Sequence, residues 1–171
     1  LLLVLFLLSC YTVRALEEKV SVKTKGGLLH GSLMLPDGIE RAPVVLIIAG
    51  SGPTDRDGNQ KALKNNSLRM LADSLRARGI ASLRYDKRGI GESVISGLRQ
   101  ADLRFEHFVD DARLWIDLLA ADKRFSKVII AGHSEGALIG LLAAQGNAAV
   151  KAHISVAGAA RPADEMIREQ L

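Results

Sequence analysis

Short apolar runs alternate with helix-length segments along most of this chain, and this alternation limits the possible folds more than any other feature. Residues 44–49 are all apolar and rich in β-branched side chains, as expected of a strand that is buried on both faces. Similar strand-like runs at 80–85, 128–131 and 154–157 are separated by segments with helical periodicity. Strands that alternate with helices form right-handed βαβ units. The sequence therefore predicts an α/β domain whose sheet is mostly parallel, with helices on both faces.

An antiparallel hairpin is predicted before this alternation begins. Residues 20–24 alternate apolar and polar side chains, and a second strand-like run at 28–35 follows two adjacent glycines. Paired glycines favour the tight turn of a hairpin. Helical periodicity predicts helices at 60–78, 105–119 and 137–144. Gly79 is placed to end the first of them, and Trp115 lies on the apolar face of the second.

The N-terminal segment has the pattern of an export signal. Residues 1–8 are all apolar, which is too short a run to span a bilayer comfortably but fits the core of a secretory signal peptide. Cleavage after Ala15 would leave a domain at 16–171 in the periplasm or the medium. The segment that ends at Cys10 also resembles, imperfectly, a lipoprotein cleavage site, which would anchor the protein through that cysteine. A buried N-terminal strand or helix is the third interpretation.

The C-terminal segment has the pattern of a helix start, because Pro162 is followed by the acidic residues Asp164 and Glu165. We therefore expect the domain to continue beyond Leu171, with the last strands of the sheet still to come. On this interpretation the chain is the N-terminal fragment of a longer protein.

The charge distribution argues against nucleic-acid binding. The formal net charge is +4, but the basic residues are scattered among acidic ones, and only 4% of the residues are aromatic. Nucleic-acid binders cluster their basic residues or interleave them with rings that stack on bases. Because Cys10 is the only cysteine, the sequence also excludes an internal disulfide. We predict no nucleic-acid partner and no stable membrane span, and the oligomeric state stays open.

The segment around Ser134 combines a strand, a sharp turn and a helix. An apolar run leads into the sequence Gly-His-Ser-Glu-Gly, and an apolar helix follows. Such a turn exposes the serine hydroxyl and strains its backbone, while Gly132 and Gly136 leave room for the neighbouring strand and helix. The following helix would direct its N-terminal end at the site, so the backbone N–H of Glu135 can stabilise an oxyanion. His133 is expected to point away from the serine as a structural or partly exposed side chain.

Three stretches together resemble the α/β-hydrolase superfamily, in particular its exported serine-aminopeptidase-like and esterase-like bacterial members. They are the glycine-rich loop at 49–59, the Tyr-Asp-Lys-Arg-Gly-Ile-Gly-Glu-Ser segment at 85–93, and the turn at Ser134. Their spacing is similar to that of the family over nearly all of residues 20–171. The resemblance implies that Ser134 is the nucleophile. It also implies that the backbone N–H of Ser51, or alternatively of Gly52, forms the second half of an oxyanion hole.

The resemblance gives other polar residues of these loops a structural role. Asp86 and Arg88 are expected to fix the shape of their loop by pairing, and to take no part in catalysis. The acidic residues at 55–59 superficially look like a calcium loop, but the further acids and the terminal glutamate are missing. We therefore predict no metal ion and no cofactor.

The acid and the base of a catalytic triad are not assigned to residues of this sequence. The family order is serine, then an acid, then a histidine. His153 and Asp164 are the only histidine and aspartate after Ser134, and they fit a core edge and a helix start better. We expect both triad partners beyond Leu171. Otherwise the base must be one of the histidines at positions 30, 107, 133 and 153.

The function predicted from these features is that of a serine hydrolase. It would cleave a small-molecule carboxylic ester, thioester or amide through an acyl-enzyme on Ser134. The alternative is a non-catalytic binding protein with the same fold, since a fold alone does not determine function. The intact glycines and serine favour the enzyme, because a binding module does not need a strained turn.

Overall fold

The computed structural model describes residues 17–159 and two isolated positions, Glu165 and Arg168. The predicted signal peptide, which includes Cys10 and Ala15, lies outside the described residues, and so does Asp164. Within the described part of the chain, no helix is both long enough and apolar enough to cross a bilayer.

Six strands of the described chain form one mixed sheet, in the order β1-β2-β4-β3-β5-β6. The strands are β1 (Glu17–Thr24), β2 (Gly27–Met34), β3 (Ala42–Ile48), β4 (Ala81–Tyr85), β5 (Phe125–His133) and β6 (Val150–Val156). β1 and β2 form the predicted antiparallel hairpin, and β2 also pairs antiparallel with β4. The remaining pairs, β4 with β3, β3 with β5 and β5 with β6, are parallel. The predicted sheet type and its N-terminal hairpin are confirmed.

The helices of the described chain lie on both faces of this sheet, as predicted. They are α1 (Ser67–Arg76), α2 (Phe105–Ala121) and α3 (Glu135–Ala144), with a short 3-10 helix (Gln100–Asp102) before α2. α1 packs against β2 and β4, whereas α2 and α3 pack against each other and against β3 and β5. The hydrophobic side chains beneath α1 form a cluster separate from those beneath α2 and α3.

The side chains of β3 serve both of these clusters. Val44, Leu46 and Ile48 belong to the larger cluster beneath α2 and α3, whereas Val45 and Ile47 belong to the smaller cluster beneath α1. None of the five is more than 3% exposed. Successive side chains of a strand point to opposite faces, so covering both faces requires an apolar residue at every position.

Trp115 on α2 is fully buried in the larger cluster, which agrees with its position on the apolar stripe. The centre of its ring lies 5.5 Å from that of Tyr85, at the end of β4. Burial, and then the nearby charge of Asp111, raise the pKa of Tyr85. Trp115 is therefore a core residue that supports the end of β4.

The helix predicted at 60–78 is wrong at its N-terminal end, because α1 begins only at Ser67. Asn66 has a left-handed backbone with φ of 52°, which a continuous right-handed helix does not accommodate. Its backbone N–H donates to the side-chain oxygen of Asn59 at 2.9 Å. Gln60 and Leu63 pair with each other through their backbones. These contacts keep residues 60–66 in a loop, so the helix begins later in the chain than predicted.

Candidate active site

The three stretches singled out in the sequence meet at one edge of the sheet. The loop 49–59 follows β3, the loop 86–93 follows β4, and Ser134 connects β5 to α3. Because β3, β4 and β5 are parallel, their carboxyl ends lie together, and this is where open α/β sheets bind ligands. Ser51 and Ser134 line one cleft of about 280 Å³ at this edge. Lys87 and Glu135 line a second cleft of about 550 Å³.

Ser134 has the backbone conformation that the sharp turn predicts. Its φ of 52° and ψ of −119° lie in a region that L-residues rarely adopt. Its backbone N–H donates to the carbonyl oxygen of Val156 on β6 at 2.9 Å, and its carbonyl oxygen accepts from the N–H of Ala137 at 3.0 Å. The residue is partly exposed. The neighbouring strand and the first turn of α3 therefore hold the serine in a strained conformation at the surface of the cleft.

The two glycines that flank this turn leave space for backbone atoms, as predicted. A Cβ at Gly132 would overlap the carbonyl group of Gly136 and would lie 2.5 Å from the Cα of Ala137. A Cβ at Gly136 would overlap the carbonyl oxygen of Ile48 and would lie 2.6 Å from that of Ala49. Since these neighbours are backbone and not flexible side chains, no larger residue fits here without moving β3 or α3.

The first residue of α3 is Glu135, so its backbone N–H has no partner within the helix. The positive end of the helix dipole lies at the same place, next to the Ser134 side chain. This geometry suits the donor role that was predicted for the Glu135 N–H.

The loop that carries Ser51 touches the serine turn. A Cβ at Gly50, the preceding residue, would lie 3.3 Å from the Cβ of Ser134 and 2.9 Å from Nδ1 of His133. Ser51 lines the same cleft as Ser134, whereas Gly52 lines the larger neighbouring cleft. Of the two alternatives for the second donor, Ser51 is thus the one that shares a cleft with the nucleophile candidate.

Asp86 and Arg88 both form ion pairs, but each pairs with a residue distant in the sequence. Asp86 accepts hydrogen bonds from the Arg56 backbone N–H at 2.8 Å and from its guanidinium at 2.6 Å. The guanidinium of Arg88 donates to Asp111 on α2 at 2.5 and 2.8 Å. Both pairs are buried. These partners are not readable from the sequence, because 30 and 23 residues separate them.

The Asp86 pair extends into a network that fixes the loops on either side of the site. Asp86 also accepts from the backbone N–H of Glu92 at 3.0 Å, and the carboxylate of Glu92 lies 2.6 Å from Arg56. Burial alone would lower the pKa of Arg56, but Asp86 and then Glu92 raise it above its ordinary value. Hydrogen bonds from Lys19 and then Arg56 lower the pKa of Glu92. Arg56 and Glu92 are therefore both charged at neutral pH.

Lys87 is a residue that the sequence analysis did not single out. It is 4% exposed, and its Nζ donates to the carbonyl oxygen of Gly50 at 2.6 Å. The same atom lies 3.3 Å from Oε2 of Glu135. A lysine between Asp86 and Arg88 carries no local signal of burial, so only the packed loops reveal this contact.

The loop at 55–59 is organised by its own first carboxylate. Oδ1 of Asp55 accepts from the backbone N–H of Asp57 at 2.9 Å and from that of Asn59 at 2.8 Å. Among the described residues there is no group of three or more histidine, cysteine, aspartate or glutamate side chains that could hold a metal ion. The absence of a metal and of a cofactor stays a prediction.

The four histidines lie in the described part of the chain, and each has a distinct place. His30 is on β2, and Nδ1 of His107 accepts a backbone N–H at the start of α2. His133 is exposed. His153 is on β6, and its buried Nε2 has no hydrogen-bond partner among the described residues. No histidine of the described chain is hydrogen-bonded to Ser134, so the triad base stays unassigned.

Comparison with known proteins agrees with this geometry. The family model described as serine aminopeptidase, S33 matches residues 65–171, which include Ser134 and the loop after β4. Esterase EstD of Thermotoga maritima is 32% identical over 146 residues, which cover 84% of this chain and 33% of EstD. This chain thus spans about a third of the length of that relative.

Solved structures show the same fold. Dienelactone hydrolase from Anabaena variabilis superposes with a TM-score of 0.65 and 28% identity, over 83% of this chain and 63% of that one. The α/β hydrolase GrgF from Penicillium gives a TM-score of 0.69 at 23% identity, over 83% of this chain and 46% of that one. Est1E from Butyrivibrio proteoclasticus gives a TM-score of 0.65 at 22% identity, over 88% of this chain and 54% of that one. Together with the family match, the shared fold shows that this chain belongs to the serine aminopeptidase S33 family of α/β-hydrolases.

Proposed function

We propose that the protein is a serine hydrolase in which Ser134 attacks the carbonyl carbon of an ester, thioester or amide. The observation that carries this proposal is the backbone of Ser134, which has a φ of 52° and is flanked by two glycines. A side chain at either glycine would collide with neighbouring backbone atoms. Strain of this kind persists where the surrounding structure imposes it, and it is concentrated at functional sites. A turn that merely connected a strand to a helix would not need it.

The chemistry follows from the groups around the serine. The Ser134 hydroxyl oxygen forms a bond to the carbonyl carbon while its proton passes to a general base. The carbonyl oxygen becomes an oxyanion, which the backbone N–H groups of Glu135 and Ser51 stabilise. Collapse of this intermediate expels the alcohol, thiol or amine, which takes the proton, and water then hydrolyses the acyl-enzyme.

We further propose that the base and its acid partner lie outside the described residues. Two observations support this. The described histidines make no hydrogen bond to Ser134, and in this fold the acid and the histidine follow the serine in the chain. A histidine there would receive the Ser134 proton and deliver it to the leaving group.

The substrate we propose is a small ester or acyl compound. EstD is named an esterase, which favours an ester over the amide that the family description suggests. The cleft of about 550 Å³ beside Glu135 is partly lined by Leu98, Leu103 and Phe108, so it offers apolar surface to an acyl chain.

Labelling with a fluorophosphonate probe tests the nucleophile in the full-length protein. The probe reacts with an activated serine, so the wild type should be labelled and Ser134→Ala should not. Ser126→Ala is the matched control, because Ser126 is an exposed serine near the start of β5, at the opposite end of the strand from the turn. Equal labelling of Ser134→Ala would exclude Ser134 as the nucleophile. An unlabelled wild type that still binds esters would favour the non-catalytic alternative.

A further inference from the structure

Lys87 is a buried cation that touches both loops of the candidate oxyanion hole. Its side chain is 5% exposed, and its Nζ lies 2.6 Å from the Gly50 carbonyl oxygen and 3.3 Å from Oε2 of Glu135. The face of Phe108 covers it, with 5.5 Å from Nζ to the ring centre. Removing an ammonium group from water costs free energy. The groups that contact it in the fold therefore indicate its role.

The Gly50 carbonyl belongs to the same peptide group as the Ser51 N–H. A peptide group is planar and trans, so its carbonyl oxygen and its N–H point in opposite directions. An anchor on the oxygen therefore also fixes the direction of the N–H on the other side. Gly50 has no side chain that would restrict this peptide, and glycine is conformationally permissive. The ammonium of Lys87 supplies the missing restraint.

The contacts of Lys87 differ from those of the structural cations nearby. The guanidinium groups of Arg56 and Arg88 each lie 2.5–2.6 Å from a carboxylate that is at least 97% buried. In contrast, the shortest contact of Lys87 is to a neutral carbonyl, and its carboxylate partner is farther away and 32% exposed. Lys87 is thus placed to hold the Gly50 carbonyl, and the ion pair with Glu135 is its second contact.

We propose that Lys87 is a positioning residue for the oxyanion hole. It orients the Gly50–Ser51 peptide so that the Ser51 N–H faces the oxyanion. Its charge also polarises this amide and strengthens the N–H as a donor, since hydrogen bonds in series reinforce one another. Through Glu135 it joins the loop that carries the Ser51 donor to the residue that carries the other donor. The inference rests on the proposed function of Ser134.

The test compares Lys87→Met with the wild type in the full-length protein. Met keeps an unbranched apolar stem but removes the ammonium. Loss of one oxyanion donor lowers kcat by about 100- to 1,000-fold, and an indirect effect should be smaller, about 10- to 100-fold, on p-nitrophenyl butyrate. KM should change by less than about twofold, because the oxyanion exists only in the transition state. Active sites are counted by fluorophosphonate labelling, so that unfolded protein does not enter kcat.

A trifluoromethyl ketone separates positioning from a purely structural role. Its adduct with Ser134 carries a negatively charged oxygen in the oxyanion hole, so its affinity should fall in Lys87→Met by the same factor as kcat/KM. Glu135→Gln leaves the bond between Lys87 and Gly50 in place and should lower kcat far less. Arg124→Met, which removes a paired cation next to the start of β5, is the control expected to keep kcat.

Each outcome decides the inference. If active-site-corrected kcat and ketone affinity are unchanged in Lys87→Met while the wild type is labelled and active, Lys87 has no positioning role and the proposed function stands. If Glu135→Gln is as damaging as Lys87→Met, the ion pair and not the carbonyl contact matters, and the inference is overturned. An unlabelled wild type refutes the proposed function itself. Should Lys87→Met fail to fold, Lys87→Gln takes its place with the same expected drop in kcat and ketone affinity.

Discussion

Replacing Ser134 by glycine should stabilise the protein while it abolishes activity. The φ of 52° and ψ of −119° at this residue are readily accessible to glycine but not to a residue with a Cβ. Ser134→Ala removes the hydroxyl and keeps the Cβ, so the strain stays. The difference in stability between Ser134→Gly and Ser134→Ala therefore isolates the strain stored at the turn.

The magnitude follows from two opposing contributions. A residue held in a sparsely populated backbone region is destabilised by about 1–3 kcal/mol. Removing this strain stabilises Ser134→Gly, but glycine loses more conformational freedom on folding, which costs about 0.5–1 kcal/mol. Ser134→Gly should therefore be about 1 kcal/mol more stable than Ser134→Ala, which for a domain of this size raises Tm by about 2–4 °C.

Thermal and urea denaturation of the full-length variants measure this difference. The matched control is Ala120→Gly, the same chemical change at an exposed position of α2. There glycine should lower the free energy of unfolding by about 1 kcal/mol, because the backbone is helical and unstrained. If Ser134→Gly is no more stable than Ser134→Ala, the turn stores no strain, and the observation that supports the proposed function is lost.

Three further predictions concern a glycine of the serine turn, the buried pair of Asp86 and Arg56, and the N terminus. Gly136→Ala should lower the free energy of unfolding by about 3 kcal/mol in chemical denaturation, since its Cβ would collide with backbone carbonyls at the end of β3. The control Gly146→Ala has open space around it, so its free energy of unfolding should fall by only about 1 kcal/mol, because its backbone is left-handed. Asp86→Asn should lower the free energy of unfolding by about 3 kcal/mol, because the buried guanidinium of Arg56 loses its buried carboxylate partner and keeps only the half-exposed Glu92, and equal stability in urea would contradict this. Mass spectrometry of the protein expressed from its own gene should find a mature start at Leu16; a lipid-modified cysteine would support the anchored form, and an uncleaved leader would contradict export.

The parts of this protein that depend on local pattern are predictable from the amino-acid sequence alone. The fully apolar run at 44–49 predicted a strand buried on both faces, and β3 does contribute alternate side chains to two clusters. The turn at Ser134 was predicted from its glycines and the flanking strand and helix, and its φ is left-handed. Both features are encoded by residues adjacent in the chain, because strand alternation and turn geometry are set over a few residues.

Other features depended on contacts between distant residues and were not readable from the sequence. The predicted start of α1 is wrong, because the backbone N–H of Asn66 donates to the side-chain oxygen of Asn59 and the helical pattern is overridden there. Asp86 and Arg88 were expected to pair, but their partners, Arg56 and Asp111, come from another loop and from α2. Helical periodicity and loop composition say nothing about which distant side chain a buried charge will meet.

Lys87 shows this division most clearly. Its neighbours in the sequence are charged, which favours a solvated loop, yet the ammonium is buried against a carbonyl 37 residues earlier and a carboxylate 48 residues later. Only the parallel pairing of β3, β4 and β5 brings these three loops to one edge of the sheet. The nucleophile candidate is a property of one short segment. Its surroundings are a property of the sheet, because they depend on which charged side chains the fold buries together.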